Sequence, residues 1–171
     1  GLVDKKGNPL TPLSGIYSTI EPKTLCEFIT PLIPKKNINI GIVYNPDIST
    51  FTLSQFIQST VKGCQISSKE VTLKENILPA FKTLNADIFI GLMDPLIYTP
   101  QTLPAILQTC MLRRIPFVGY TPAHIKQGAM LALYNDYNDL GKQAAEMLMQ
   151  IIKNNAPATM HYPRKYQYSL N

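Results

Sequence analysis

The stretch Asn37-Ile-Asn-Ile-Gly-Ile-Val-Tyr-Asn-Pro46 decides the fold of this chain. Its β-branched residues up to Tyr44 predict a buried strand, which the following Asn-Pro pair ends. Apolar residues at helical spacing come next, with Ser49 or Thr50 as the predicted N-cap. A strand that leads directly into a helix is the repeating unit of a parallel α/β sheet.

The same alternation continues along the rest of the chain. Strands are predicted over residues 37–44, 65–73, 87–92, 115–120 and 129–134, with a last one over 162–170. Helices are predicted before and between them and over residues 136–153, where the apolar face is Leu140, Ala144, Met147, Leu148 and Ile151. Strands this apolar need helices on both faces of the sheet. We therefore expect a doubly wound, mainly parallel sheet of five to six strands in the order 2-1-3-4-5.

Length and composition predict one globular domain. The chain has 171 residues, of which 45% are hydrophobic and 16% charged. The polar segment 1–14 is expected to be a leading linker and residues 15–171 a single α/β lobe. No stretch has the features of a signal peptide, and the apolar run 88–93 is too short to span a bilayer.

The basic charge of the chain does not predict a nucleic-acid partner. The net charge is +5, but the basic residues occur mainly as scattered doublets and form no stripe interleaved with aromatic residues. This distribution is typical of a solvated surface.

The three cysteines and two histidines predict neither a disulfide framework nor a metal site. Cys26, Cys64 and Cys110 cannot all pair and form no C-x-x-C motif, so we expect buried free thiols. His124 and His161 lie in separate segments without a partner at ligand spacing, which favours surface or capping roles.

Motifs of catalysis and of cofactor binding are absent from the sequence. It contains no G-x-G-x-x-G, no P-loop and no G-x-S-x-G. We therefore predict no catalytic residue, no cofactor and no enzymatic activity. A small enzyme of flavodoxin-like fold with Asp94 as acid or base is the alternative, although no nucleophile–base pair accompanies that residue.

Polar and aromatic side chains follow the predicted strands at their carboxyl ends. Open α/β sheets bind ligands beyond this edge. The candidate ligand-binding residues are Asn45, Ser49, Thr50, Asp94, Tyr98, Tyr120, Thr121, Asn135 and Asp136. Together they suit a small polar or zwitterionic ligand that stacks on aromatic rings. Helix capping explains Ser49, Thr50 and Asp136 equally well, whereas Asp94 favours a binding role.

Receiver domains of response regulators have the same strand order and can be tested directly. They resemble one another in an acidic pair after strand 1, an acceptor Asp after strand 3 and a Lys after strand 5. Here strand 1 ends in Val43-Tyr-Asn45 and strand 5 in Leu133-Tyr-Asn-Asp136. The acidic pair and the lysine are both missing, which excludes a receiver.

Six stretches, in order, resemble the ABC transporter substrate-binding protein family that includes tryptophan- and other aromatic-amino-acid-binding lipoproteins. They are NIGIVYNP (39–46), DIFIGLMDP (87–95), RIPFVG (114–119), IKQGAMLALY (125–134), DYNDLGKQAA (136–145) and PRKYQYSLN (163–171). The resemblance covers residues 14–171 and corresponds to the second lobe of a two-lobed, type I periplasmic-binding-protein-like fold.

The resemblance implies a solute receptor of an ABC importer. Its partners would be a small, amino-acid-like ligand, the first lobe of the same protein and an ABC permease. Location would be periplasmic or otherwise extracytoplasmic, with membrane contact only through a lipid anchor or a partner. Asp94 would pair with a ligand ammonium or hydroxyl, and Asn45 with the Ser49-Thr50 helix start would suit a carboxylate. The alternative is a ligand-sensing or protein-interaction domain of the same fold from a signalling protein.

Overall fold

The computed structural model describes residues 14–59, 62–154 and 159–171. The helices are α1 Pro22–Ile29, α2 Pro46–Gln58, α3 Ile77–Thr83, α4 Leu103–Leu112, α5 Pro122–Lys126 and α6 Tyr137–Asn154. The strands are β1 Gly15–Ile16, β2 Ile38–Tyr44, β3 Cys64–Glu70, β4 Ile88–Ile90, β5 Phe117–Gly119, β6 Leu131–Asn135, β7 Met160–His161 and β8 Tyr166–Leu170. Short 3-10 turns at Thr30–Leu32 and Lys74–Asn76 follow α1 and precede α3.

Six strands form the main sheet, in the order β3-β2-β4-β5-β6-β8. The pairs β2–β3, β2–β4, β4–β5 and β5–β6 are all parallel. The predicted α/β class, the mainly parallel sheet and the order 2-1-3-4-5 are thus confirmed, with β8 as the sixth strand. A second, two-stranded sheet pairs β1 with β7 in parallel and was not predicted.

Close packing of β2 against β4 and the residues that lead into it explains the glycine in the stretch that decides the fold. A Cβ on Gly41 would lie 2.6 Å from Cβ of Ala86 and 2.7 Å from the ring of Phe89. Beneath this contact, the ring of Phe81 lies 5.0 Å from that of Phe89, centroid to centroid. Because both rings are fully buried, they form an aromatic core that packs α3 on β4 and reaches Gly41 in β2.

The thiols lie where the sequence predicts. Cys26, Cys64 and Cys110 are all buried and free. Burial raises the pKa of Cys26 and of Cys110 to about 12, so these two thiols are protonated at neutral pH. They act as small apolar side chains of the core.

Two compact units make up the chain. One comprises Pro22–Leu133 and Tyr168–Asn171 and contains the buried apolar side chains named above. The other comprises Gly1–Glu21 and Tyr134–Gln167, and its described part begins at Ser14. The sequence-based prediction of one lobe over residues 15–171, preceded by a linker over 1–14, stays a prediction, since residues 1–13 lie outside the described part.

The smaller unit is held by polar contacts. Arg164 donates from Nε to Asp139 at 2.9 Å and from its two terminal nitrogens to Glu146, so it binds the segment before β8 to α6. The rings of Tyr17 and Tyr162 lie 4.7 Å apart. None of the apolar side chains that the structure describes in this unit is buried.

None of the helices in the described ranges has the length and apolarity needed to cross a membrane.

Candidate functional site

Asn45 caps α2 at the carboxyl end of β2. Its side-chain oxygen accepts a hydrogen bond from the backbone N–H of Asp47 at 2.9 Å, and Pro46 follows as the first helical residue. The predicted caps, Ser49 and Thr50, lie inside the helix instead, so that prediction was wrong. The hydroxyl of Thr50 donates to the carbonyl of Pro46 at 2.5 Å and is used locally.

Asp94 joins the loop after β2 to the turn after β4. Its Oδ2 accepts from the backbone N–H of Asn45 at 3.0 Å and from the hydroxyl of Ser49 at 2.8 Å. Its Oδ1 accepts from the N–H groups of Leu96 at 3.0 Å and Ile97 at 3.3 Å. The side chain is 0% exposed. The carboxylate therefore accepts four hydrogen bonds, all of them from groups of the protein.

Tyr98 makes a second connection between the same two strands. Its hydroxyl donates to the carbonyl of Val43 in β2 at 3.1 Å. Burial raises the pKa of Tyr98 well above its ordinary value, and the nearby charge of Asp94 raises it further, so the phenol keeps its proton. We call Asn45, Ser49, Asp94 and Tyr98 the buried polar layer, since all four are buried.

Tyr120 and Thr121, after β5, are partly exposed, as is Thr50 in α2. The ring of Tyr120 meets that of Tyr98 edge-on at 6.1 Å and that of His124 at 4.4 Å, so its orientation is set by packing. Thr121 is the N-cap residue of α5, but its side chain makes no capping hydrogen bond. An aromatic face and a hydroxyl are therefore presented next to the buried polar layer.

His124 belongs to this cluster, although the sequence predicted a surface or capping role. It is buried, and its Nδ1 accepts from the backbone N–H of Tyr120 at 3.4 Å. A Cβ on Gly119 would lie 2.6 Å from this ring, so only glycine lets it approach β5. The spacing in the sequence could have predicted this position. His124 comes one helical turn after the cap Thr121, so its side chain returns toward the strand.

Burial of His124 predicts a loss of stability in mild acid. Burial lowers its pKa below the ordinary value of 6.5, so the unfolded chain binds a proton first. As pH falls through the unfolded value toward the folded one, the free energy of unfolding decreases. We expect His124→Asn, which keeps an acceptor near the position of Nδ1, to reduce this decrease between about pH 7 and about pH 5 in urea unfolding.

The matched control is the exposed His161. His161→Asn makes the same substitution at an exposed position and measures the effect of the substitution itself. An equal decrease in the parent and in His124→Asn would show that the buried imidazole does not titrate in this range.

Asn135 and Asp136, at the end of β6, fall in the smaller unit. The side-chain nitrogen of Asn135 donates to the carbonyl of Ser18 at 2.7 Å, and its buried Oδ1 has no partner among the residues described. Asp136 accepts from the N–H groups of Asn138 and Asp139, both at 3.1 Å. These hydrogen bonds, that of Asp139 foremost, lower the pKa of Asp136 and make it the cap of α6.

The structure thus separates the nine candidates into three groups. It brings together four of them in the buried polar layer and places Tyr120 and Thr121 beside that layer. The other three are used locally: Thr50 bonds to its own helix, Asn135 donates to Ser18, and Asp136 caps α6. A role in ligand binding stays a prediction for each of them.

Comparison with known proteins identifies the family. The sequence profile described as "ABC transporter substrate binding protein" matches residues 1–170. The chain belongs to the ABC transporter substrate-binding protein family. This family is defined by substrate binding and not by catalysis, which supports treating the chain as a binding module. No curated protein sequence matches the chain.

Solved structures show the same fold at low sequence identity. A conserved domain protein from Vibrio cholerae has a TM-score of 0.68 at 19% identity over 92% of this chain and 55% of its own. An ABC domain in complex with L-Trp from Streptococcus pneumonia has 0.65 at 18%, over 99% and 60%. The ligand-free, open structure of a substrate-binding protein with adhesive properties from Clostridium difficile has 0.65 at 18%, over 100% and 59%.

These three proteins are longer than this chain, which spans 55–60% of their lengths. At 18–19% identity they establish the fold and not the ligand. The type I periplasmic-binding-protein-like lobe that the sequence predicted is confirmed at this level.

Proposed function

We propose that this member of the ABC substrate-binding family is a solute-binding lobe of an importer's substrate-binding protein. Its solute would be a small polar or zwitterionic, amino-acid-like molecule that binds at the carboxyl edge of the sheet. The observation that carries the proposal is the convergence of three loops, after β2, β4 and β5, on a buried polar layer beside Tyr120. Open α/β sheets bind ligands at this edge.

The two partly exposed side chains after β5 define the proposed contact. Tyr120 offers an aromatic face held in place by Tyr98 and His124, and Thr121 offers a hydroxyl. The buried polar layer lies behind them and gives the loops a fixed shape, which reduces the entropy cost of binding. L-Trp in the related structure from Streptococcus pneumonia supports an amino-acid-like solute.

A second lobe would complete the cleft, and the smaller unit supports this part of the proposal. On α6, Leu148 is 57% exposed and Ile152 is 68% exposed, although they lie one helical turn apart on one apolar face. An 18-residue helix takes most of its stability from packing of its apolar face. A parallel pair as small as β1–β7 also needs covering layers. Both needs would be met by the additional chain that the longer relatives possess.

The remaining partners follow from the family. An importer's binding protein delivers its solute to an ABC permease in the membrane, so we propose a periplasmic or otherwise extracytoplasmic location. Membrane contact would come through a lipid anchor or through the permease. No nucleic-acid partner is proposed, since the basic residues form no continuous stripe.

Titration of the isotope-labelled chain with L-amino acids tests the solute class. Half a cleft retains about half of the contacts, so weak, millimolar binding is expected and NMR is the suitable readout. We expect at least one amino acid to shift the amide signals of Tyr120 and Thr121. Tyr120→Ala should weaken this binding at least about tenfold, because the stacking face is lost.

The control variant is Tyr168→Ala, which removes an exposed tyrosine of β8. It should bind as the parent chain does. If no amino acid shifts these amides in the folded chain, the amino-acid-like class is wrong. If a sugar shifts them instead, solute binding at this edge stands with a different solute.

A further inference from the structure

We infer that Asp94 is a positioning residue that locks the loops after β2 and β4 together and does not itself touch the solute. The inference rests on the proposed solute-binding function. It differs from the direct contact with a ligand ammonium that the family resemblance implies.

The first argument is the saturation of the carboxylate. Each of its oxygens accepts two hydrogen bonds, at distances between 2.8 and 3.3 Å. A carboxylate has about four lone-pair sites and no proton to donate when ionised. With the side chain 0% exposed, a solute ammonium would have to displace one of these donors to reach it.

The second argument is the origin of the donors. The N–H of Asn45 and the hydroxyl of Ser49 come from the start of α2, on one side. The N–H groups of Leu96 and Ile97 come from the turn that Asp94 itself begins, on the other. Asp94 is therefore the bridge through which a shift of one loop is transmitted to the other.

The third argument is the way in which the charge is stabilised. None of the ion pairs found among the described residues includes Asp94. Its negative charge is met by backbone N–H groups and a hydroxyl at the first turn of α2, where the helix dipole also favours an anion. An asparagine amide would turn its NH₂ group toward two of the four donors. The geometry therefore requires an aspartate for a reason that needs no solute.

Tyr98 shows that the bridge continues toward the partly exposed ring. Its backbone N–H donates to the carbonyl of Asp94 at 3.0 Å, while its hydroxyl reaches Val43 at 3.1 Å. Its ring meets Tyr120 edge-on. The position of Tyr120 is thus connected to Asp94 through one intervening side chain.

The experiment compares the solute-free chain with Asp94→Asn by NMR and amide hydrogen exchange. We expect exchange at Asn45, Leu96 and Ile97 to become at least about tenfold faster in the variant. Spectrophotometric titration of the tyrosines gives a second readout. The charge of Asp94 raises the pKa of Tyr120, after burial as the main cause, so its removal should lower that pKa in a folded variant.

Asp47→Asn is the matched control, since it removes the charge of an exposed aspartate in the first turn of α2. It should leave the Leu96 and Ile97 amides unchanged. Unaltered amides at Asn45, Leu96 and Ile97 in Asp94→Asn would overturn the inference. Loss of amino-acid binding without any change in the solute-free amides would indicate direct contact instead. Since the main readout needs no solute, it separates this inference from failure of the proposed function.

Ser49→Ala keeps the inference testable if Asp94→Asn does not fold. This change removes one donor from Oδ2 and leaves the carboxylate in place. If Asp94 couples the loops, the amide signals of Leu96 and Ile97 shift although Ser49 is 45 residues from Asp94 in sequence. Shifts confined to α2 would contradict the coupling.

Discussion

Replacing Asp94 by alanine is expected to lower the free energy of unfolding by about 3 kcal/mol or more. The change leaves the N–H groups of Asn45, Leu96 and Ile97 and the hydroxyl of Ser49 without their acceptor. Each buried donor left unsatisfied costs about 1–3 kcal/mol, and removal of a buried charge offsets part of the sum. Urea unfolding at neutral pH, followed by circular dichroism, measures the difference.

Asp47→Ala is the comparison that isolates the bridge. Asp47 is exposed in the first turn of α2 and contributes through the helix dipole alone, so its loss should cost less than about 1 kcal/mol. Equal costs for the two variants would mean that the loops do not depend on the buried carboxylate.

Replacing Phe81 by alanine is expected to cost about 4 kcal/mol, within the range for buried aromatic residues. Phe81 is 0% exposed, and its ring lies 5.0 Å from Phe89, 6.5 Å from Phe117 and 6.3 Å from Tyr98. The resulting cavity therefore lies directly under the buried polar layer. We expect the near-ultraviolet dichroism of the tyrosines to weaken, because Tyr98 loses one of its packing partners.

Leu112→Ala provides the matched surface truncation for this prediction. Leu112 ends α4 and is 76% exposed, so its loss should change the free energy of unfolding by no more than about 0.5 kcal/mol. A cost for Phe81→Ala below about 2 kcal/mol would show that the aromatic core collapses into the cavity.

Much of the fold could be predicted from the sequence because it depends on local patterns. Alternation of apolar strands and amphipathic helices predicts the parallel sheet, and its order follows from the handedness and shortness of the connections. The start of α2 was also readable, since Asn45-Pro46 is a cap followed by the favoured first helical residue. The prediction that Ser49 or Thr50 is the N-cap favoured hydroxyl side chains over this Asn-Pro pair.

The candidate site was predictable in its location and not in its contacts. Residues after parallel strands meet at one edge, so Asn45, Asp94 and Tyr120 were expected there. Whether a carboxylate at this edge faces the solvent or the interior depends on donors that are distant in sequence. Asn45 is 49 residues from Asp94, and no local pattern shows that its N–H points to that side chain.

Sequence by itself determined the α/β class, the strand order, the buried state of the thiols and the edge at which binding is proposed. These properties follow from periodicity and residue type, which act over a few neighbouring positions. Only the tertiary structure decided that Asp94 is saturated by two loops, that His124 packs beneath Tyr120, and that Leu148 and Ile152 on α6 remain exposed. These facts depend on which surfaces meet after folding, and a hydrogen-bond partner or a covering layer can come from any distance along the chain.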